Sequence, residues 1–158
     1  MTGLSHFDES GAPRMVDVGG KQPTDRIARA VGYVTAAPET IALVRDRALA
    51  KGDVLQVARL AGIMATKRTA DLVPLCHPLG IDRVEVVVEI ADERTIRIEA
   101  TVGVHARTGV EMEALTAVSV AALTVYDMCK AVDRGLTIGP IGLAEKSGGQ
   151  SGHFVREL

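Results

Sequence analysis

The spacing of apolar and polar residues divides the first half of the chain into a strand and two helices. Residues 25–36 alternate loosely and contain many β-forming residues, which predicts a strand. Residues 38–49 begin with a proline and predict a short helix. Asp53 is a candidate N-cap for a second helix, whose apolar residues recur at helical spacing through residue 73. The segment 72–80, LVPLCHPLG, ends that helix because its two prolines disfavour helical backbone in the residues before them.

A hairpin is the clearest feature of the middle of the chain. Residues 81–91 and 94–104 alternate between apolar and polar positions, and Asp92-Glu93 between them predicts a tight turn. Residues 136–146, LTIGPIGLAEK, predict a last strand.

The longest regular element is predicted over residues 106–135. Its middle is almost entirely small or apolar, as expected of a buried helix. Thr108 and Glu111 match a capping box at its start, and Gly135 is a C-cap candidate at its end.

The order of these elements predicts the fold. Residues 1–24 are rich in Gly, Pro, Asp and Ser around the string MVDV, and we expect a flexible arm with one short strand. Residues 25–158 are expected to form a single domain with the order β-α-β-β-α-β, plus one short extra helix. This order predicts an α+β, ferredoxin-like fold in which helices pack on one face of an antiparallel sheet.

Composition excludes several classes of protein. The 158 residues are 47% hydrophobic, and the formal charge of −2 (18 basic minus 20 acidic residues) argues against a nucleic-acid or membrane-surface protein. Two cysteines and no signal-peptide pattern are typical of a reduced, cytoplasmic protein. We expect the apolar helix segment 115–128 to be too short and too polar to span a bilayer.

The long helix carries charged residues near its two ends. Asp127 follows Glu113 by fourteen residues, so both lie near one side of a helix that turns about 100° per residue. Lys130 is three residues beyond Asp127 and can reach it. Spacing alone leaves two interpretations open: an exposed ion pair worth about 0.3–0.5 kcal/mol, or an acid/base pair in a pocket.

Five lysines stand beside glycines or at the ends of elements, where an ammonium can meet a phosphate that the backbone also approaches. They are Lys21, Lys51, Lys67, Lys130 and Lys146. Ordinary solvated lysines remain the alternative. The sequence contains no phosphate-binding G-x-x-x-x-G-K-[ST] loop and no G-x-G-x-x-G dinucleotide motif.

Cys76 and His77 stand side by side in LVPLCHPLG. The cysteines and histidines of the chain show no paired metal-ligand spacing, so a metal site is not expected. Neighbouring residues of an extended segment point to opposite sides, which disfavours a Cys–His nucleophile pair. We therefore expect one side chain to pack inward and His77 to face a pocket.

Several uncommon strings occur together: MVDV with Lys21, KGDV, LCHPL, TGVEMEALTAVSVAALTVYDMCKAVD and IGP followed by EKSGG. Over residues 15–152 the chain thereby resembles the molybdenum cofactor biosynthesis protein C family, the cyclic pyranopterin monophosphate synthases. The resemblance implies a ferredoxin-like subunit in a homohexamer, a trimer of dimers with active sites at subunit interfaces. It also implies conversion of 3′,8-cyclo-7,8-dihydro-GTP to cyclic pyranopterin monophosphate with release of pyrophosphate.

The resemblance also implies roles for individual residues. Asp127 matches the catalytic aspartate, and Lys51 and Lys130 match lysines important for turnover. The implied substrate contacts are Leu75, Cys76, His77, Met112, Glu113 and the neighbouring Glu111, with further pocket positions at Arg26, Lys67 and Lys146. Two positions depart from the family pattern, since Gln150 and Arg107 stand where lysine is frequent. No cofactor or protein metal site is expected, although a Mg²⁺ ion could accompany the triphosphate.

Three other functions compete with this one. A nucleotide sensor would need the lysines but not the Asp127–Lys130 pair. A metal-dependent hydrolase would use Cys76, His77, His105 and Asp127 together. A structural assembly subunit would bind no nucleotide at all.

Overall fold

The computed structural model describes residues 6–156. The elements are β1 (Thr24–Thr35), α1 (Pro38–Arg45), α2 (Val54–Thr66), α3 (Thr69–Leu72), β2 (Arg83–Ile90), β3 (Thr95–Ala106), α4 (Glu111–Cys129), β4 (Thr137–Ser147) and β5 (Phe154–Val155). The five strands form one antiparallel sheet in the order β2-β3-β1-β4-β5. Strand β1 lies at the centre and pairs with β3 on one side and β4 on the other. The predicted α+β, ferredoxin-like fold is confirmed.

The two faces of the sheet have opposite character. Every second residue of β3, from Ile96 to Val104, is buried under the helices. The other face carries Arg29, which pairs with the carboxylates of Glu99 and Glu145 at 3.3 and 3.4 Å. One face therefore forms the core, and the other presents ion pairs between neighbouring strands.

Helix α4 packs against both the sheet and α2, and small residues allow the close approach. Its buried residues include Ala114, Ala117 and Ala121. On the sheet, a side chain at Gly32 would collide with Val118. By length and apolar composition alone, the 19-residue α4 could cross a membrane, contrary to the expectation from sequence. Half of this apolar stretch is nevertheless buried within the protein, as is typical of a helix that packs in a protein core.

The sequence predictions were wrong at both ends of α4. Val110, not Thr108, is the N-cap, and no side chain caps the helix there. The Glu111 carboxylate, predicted to complete a capping box, pairs instead with Lys146 on β4. At the other end the helix stops at Cys129, and residues 130–135 form turns before β4.

Three further predictions also differ from the structure, and one short strand was missed. Helix α1 ends at Arg45 rather than at residue 49, and the helix predicted over 54–73 is interrupted at Lys67 and Arg68. Residues 15–18 form no strand; within 6–23 the structure has only an isolated bridge between Phe7 and Pro13. Strand β5 was not predicted, because a two-residue strand has no detectable period. The flexibility of the arm stays a prediction.

Candidate active site

The segment LVPLCHPLG forms one wall of a cavity of about 340 Å³. Helix α3 ends at Leu72, and the backbone of the next residue, Val73, is extended. The Val73 carbonyl accepts a hydrogen bond from the Cys76 N–H at 3.1 Å. This turn presents its side chains toward the start of α4. The cavity is lined by His6, Val16, Val18, Lys21, Leu75, Cys76, His77, Leu79, Thr108, Gly109, Glu111, Met112 and Glu113.

Cys76 and His77 both line this cavity, so the expectation that one would pack inward was wrong. The segment is a turn rather than a regular strand, and the alternation of side chains does not apply. Burial, reinforced by the negative charge of Glu113, raises the pKa of the Cys76 thiol. The thiol therefore stays protonated near neutral pH, which disfavours a nucleophilic role.

Glu113 is the one acidic residue of the cavity wall that is nearly inaccessible, with 4% of its surface exposed. Burial raises the pKa of its carboxyl group, and the neighbouring charge of Glu111 raises it further. A carboxyl group with a raised pKa can give or take a proton closer to neutral pH. Met112, between these two residues, lies half exposed at the rim.

Lys146 links the cavity to strand β4. Its ammonium lies 3.1 Å from a carboxylate oxygen of Glu111 and 2.8 Å from the hydroxyl oxygen of Ser151. Both partners of the Lys146–Glu111 pair are about three-quarters buried, with side chains 25% and 30% exposed. Lys146 therefore belongs to the same site as the predicted contacts on α4.

Arg26 lies beside a second, polar cavity of about 410 Å³, which Lys21 also lines. The guanidinium of Arg26 donates hydrogen bonds to the carbonyls of Ala106 and Arg107, at 3.1 and 3.2 Å. Gln150 lines this cavity too, so the departure from the frequent family lysine places a neutral amide beside two cations. Lys21 reaches both cavities, which identifies them as neighbours.

Asp127, Lys51 and Lys130 form a separate cluster at the far end of α4. The Asp127 carboxylate accepts hydrogen bonds from Lys51 at 2.8 Å and from Lys130 at 2.7 Å. Lys51 also donates to the backbone carbonyl of Asp127 at 2.9 Å. The two ammonium groups, Lys130 first, lower the pKa of Asp127 to about 2. The sequence predicted Lys130 by helical spacing, but Lys51 arrives from the loop before α2.

Within one chain the predicted residues other than Lys67 thus fall into two clusters, one around the two neighbouring cavities and one around Asp127. The fourteen residues from Glu113 to Asp127 span about 21 Å at roughly 1.5 Å per helical residue. Lys67 lies elsewhere, exposed at the C-terminal end of α2, where it lines two shallow surface cavities. The roles of these residues stay predictions, because their positions alone do not test them.

Of the part of the arm that lines the cavity, only Lys21 was a candidate from the sequence. His6, Val16, Val18 and Lys21 form this wall. The string MVDV with Lys21 was the available signal, since it stands among the motifs of the resemblance.

The residues of the hydrolase alternative do not meet. His105 pairs with Asp25 at 2.7 Å where the start of β1 meets the end of β3, and it does not line the cavity of Cys76 and His77. Asp127 lies in the lysine cluster. In the part of the chain from residue 6 to 156, no three His, Cys, Asp or Glu side chains are grouped to hold a metal ion.

Comparison with known proteins identifies the family of the chain. The sequence model of the MoaC family matches residues 15–149. The chain belongs to the MoaC family. It is 61% identical to the "Cyclic pyranopterin monophosphate synthase" of Thermomicrobium roseum, over 99% of this chain and 95% of that protein. It is 60% identical to the protein of that name from Dinoroseobacter shibae, over 99% of this chain and all of that protein.

Another MoaC relative is "Cyclic pyranopterin monophosphate synthase 1" of Mycobacterium tuberculosis. It is 58% identical over 97% of this chain and 90% of its own length. The resemblance drawn from the motifs is confirmed.

Proposed function

We propose that the protein is a cyclic pyranopterin monophosphate synthase of molybdenum cofactor biosynthesis. It converts 3′,8-cyclo-7,8-dihydro-GTP to cyclic pyranopterin monophosphate and releases pyrophosphate. The observation that carries the proposal is the nearly full-length identity, 56–61%, to proteins of that name. The cavity that joins Leu75, Cys76 and His77 to Met112 and Glu113 supports it further.

The two neighbouring cavities suit the two parts of this substrate. The first, about 340 Å³, combines aliphatic walls with the carboxyl groups of Glu111 and Glu113, and suits the guanine-derived ring. The second, about 410 Å³, is lined by Lys21 and Arg26 and suits the triphosphate. Lys146 pairs with Glu111 of the first cavity and contacts Ser151, next to Gly149 and Gln150 of the second, so it adds positive charge between the ring and the triphosphate.

The proposed chemistry uses the carboxyl groups of the site differently. Glu113 has the raised pKa that proton transfer at the ring requires. Asp127, with a pKa of about 2, is a weak base, and its proposed role is to hold the ammonium groups of Lys51 and Lys130 in place. These cations stabilise the negative charge that develops as the ribose-derived hydroxyls attack the innermost phosphate and pyrophosphate leaves.

An interface between subunits is proposed to complete the site, because about 21 Å separate the two clusters along α4. A second copy of the chain could bring its Asp127 cluster and Lys67 to the cavity of the first. Exposed apolar residues Leu60 and Met64 on α2 and Leu123 on α4, each 58–59% exposed, offer a surface for such a contact. We propose the homohexamer, a trimer of dimers, that the family resemblance implies.

The remaining expectations complete the proposal. The enzyme is proposed to act in the cytoplasm, without nucleic acid or membrane partners and without a required cofactor. Mg²⁺ is proposed only as a counter-ion of the substrate triphosphate.

The decisive experiment is turnover with enzymatically prepared 3′,8-cyclo-7,8-dihydro-GTP, followed by mass spectrometry and a pyrophosphate assay. The wild type should form both products, and Asp127→Asn should lower kcat by about 100-fold or more. Folded wild-type protein that binds the substrate but returns it unchanged would contradict the proposal and favour the sensor. Failure to bind any nucleotide would favour the structural subunit.

A further inference from the structure

The loop between β4 and β5, residues 148–153, touches two cationic residues of the proposed site at once. Ser151 contacts the Lys146 ammonium through its hydroxyl oxygen at 2.8 Å. On the other side, a Cβ at Gly149 would collide with the guanidinium of Arg26, so the backbone lies directly against that side chain. The loop is therefore placed between the two cavities.

Backbone conformation explains why this loop can lie so close. Gly148 and Gly149 have φ values of +94° and +72°, which residues with a Cβ rarely adopt. A Cβ at Gly148 would also collide with the carbonyl oxygen of Asp25. Consecutive glycines thus turn the chain back across the end of β1 and deliver Ser151 to Lys146.

The far side of the loop is anchored to β4. The ring of His153 lies 2.9 Å from a carboxylate oxygen of Glu145. The backbone N–H of Arg156 donates to Ala144 at 2.8 Å, and its guanidinium donates to the Leu143 carbonyl at 2.8 Å. Ser151 is therefore held between a glycine turn and a paired strand.

The geometry points to Ser151 as a positioning residue for Lys146, an inference that rests on the proposed function for its catalytic consequence. An ammonium has three N–H donors. Within residues 6–156, Glu111 and Ser151 receive two of them, at 3.1 and 2.8 Å. The two partners fix the direction of the third donor, which we assign to a phosphate oxygen of the substrate. Without Ser151, Glu111 alone would hold the ammonium, which could then rotate freely.

Amine labelling of the free protein tests the positioning without any turnover. Limited acetylation with an N-hydroxysuccinimide ester, read by peptide mass spectrometry, gives the rate at Lys146 relative to the exposed Lys67. Ser151→Ala should raise the Lys146 rate by about threefold or more, because one of two hydrogen bonds to the ammonium is lost. Ser151→Thr keeps the hydroxyl and should label like the wild type. Equal rates in wild type and Ser151→Ala would overturn the inference, even if the proposed function also failed.

Kinetics with the cyclised GTP substrate test the consequence. Ser151→Ala should raise KM by about tenfold with a smaller change in kcat, and Ser151→Thr should restore KM. In a Lys146→Met background, Ser151→Ala should have no further effect, because the group that it positions is gone. An undiminished effect in that background, or an unchanged KM in Ser151→Ala, would overturn the role. Matching melting temperatures of the variants would show that folding is intact.

Discussion

Glu113 and Asp127 lie on the same side of α4, four turns apart, in opposite environments. Glu113 is 4% exposed and lines a cavity, whereas the Asp127 side chain is 56% exposed and pairs with two lysines. Two different effects move their pKa values in opposite directions: burial raises that of Glu113, and neighbouring ammonium groups lower that of Asp127. One helix thus presents a protonatable carboxyl group at one end and a fixed anion at the other.

If the two ends of α4 act in one site built from two subunits, inactive variants should complement each other. Glu113→Gln and Asp127→Asn are each expected to be inactive alone. Subunits unfolded, mixed and refolded together should regain activity, up to about a quarter of wild type when random pairing leaves one intact site in half of the dimers. Turnover of the mixture measures this.

The control for complementation is a mixture of two variants in the same cluster. Asp127→Asn refolded with Lys130→Ala should stay inactive, since every site formed lacks one member of the cluster. Equal recovery in both mixtures, or none in either, would contradict the shared site.

Cys76 should be replaceable. Burial and the charge of Glu113 raise the pKa of its thiol, so little thiolate exists at pH 7.5. Cys76→Ala should lower kcat by less than about tenfold, whereas loss of a nucleophile costs on the order of 10⁶-fold in a well-studied hydrolase. Alkylation by iodoacetamide should be slow in the folded protein and fast after unfolding. A Cys76→Ala variant without measurable activity would restore the nucleophile hypothesis.

The ionised carboxylate of Glu113 should lower the free energy of unfolding at neutral pH. The pKa of its carboxyl group in the folded state is raised above the ordinary value of 4.5. The contribution of the protonated group to the free energy of unfolding is therefore complete below pH 4.5 and is lost as pH rises through the folded-state pKa. Glu113→Gln should therefore melt at a higher temperature than wild type at pH 7.5, and the difference should shrink toward pH 4. Thermal denaturation across this range measures it, and a difference independent of pH would contradict the assignment.

Asp133 should stabilise the junction between α4 and α1. Its carboxylate accepts hydrogen bonds from the Ala37 N–H at 2.9 Å, the Thr40 hydroxyl at 3.1 Å and the Gly135 N–H at 2.9 Å. These bonds, the Ala37 N–H first, lower the pKa of Asp133 below 3.8. Asp133→Ala should lower the free energy of unfolding by about 1–2 kcal/mol.

The stabilisation by Asp133 is complete above pH 3.8 and is lost as pH falls through the folded-state pKa, so the variant and the wild type should converge in acid. Urea denaturation at pH 7 and at pH 3 checks this. Glu93→Ala, in the exposed β2–β3 turn, is the matched control and should behave like wild type at both pH values. A loss of stability that persists unchanged at pH 3 would contradict the role of the charge.

The helices and strands of the fold could be predicted from the sequence because each depends on the periodicity and the caps of neighbouring residues. The alternation of residues 94–104 matches the buried positions of β3, and the N-cap at Asp53 forms, with its carboxylate accepting from the Gln56 N–H at 3.2 Å. The same rules failed at Thr108. A capping box there competes with a distant partner, and Glu111 pairs with Lys146, thirty-five residues away.

The sequence by itself determined the order of the elements, the family and the i,i+3 pair of Asp127 with Lys130, since each is written in neighbouring residues. Only the tertiary structure decided that Lys51 joins that pair and that Cys76 and His77 line one cavity. It also decided that Glu113 is buried while Asp127 is exposed. These facts depend on which distant segments meet when the helices pack on the sheet. Such contacts follow from packing rather than from local periodicity.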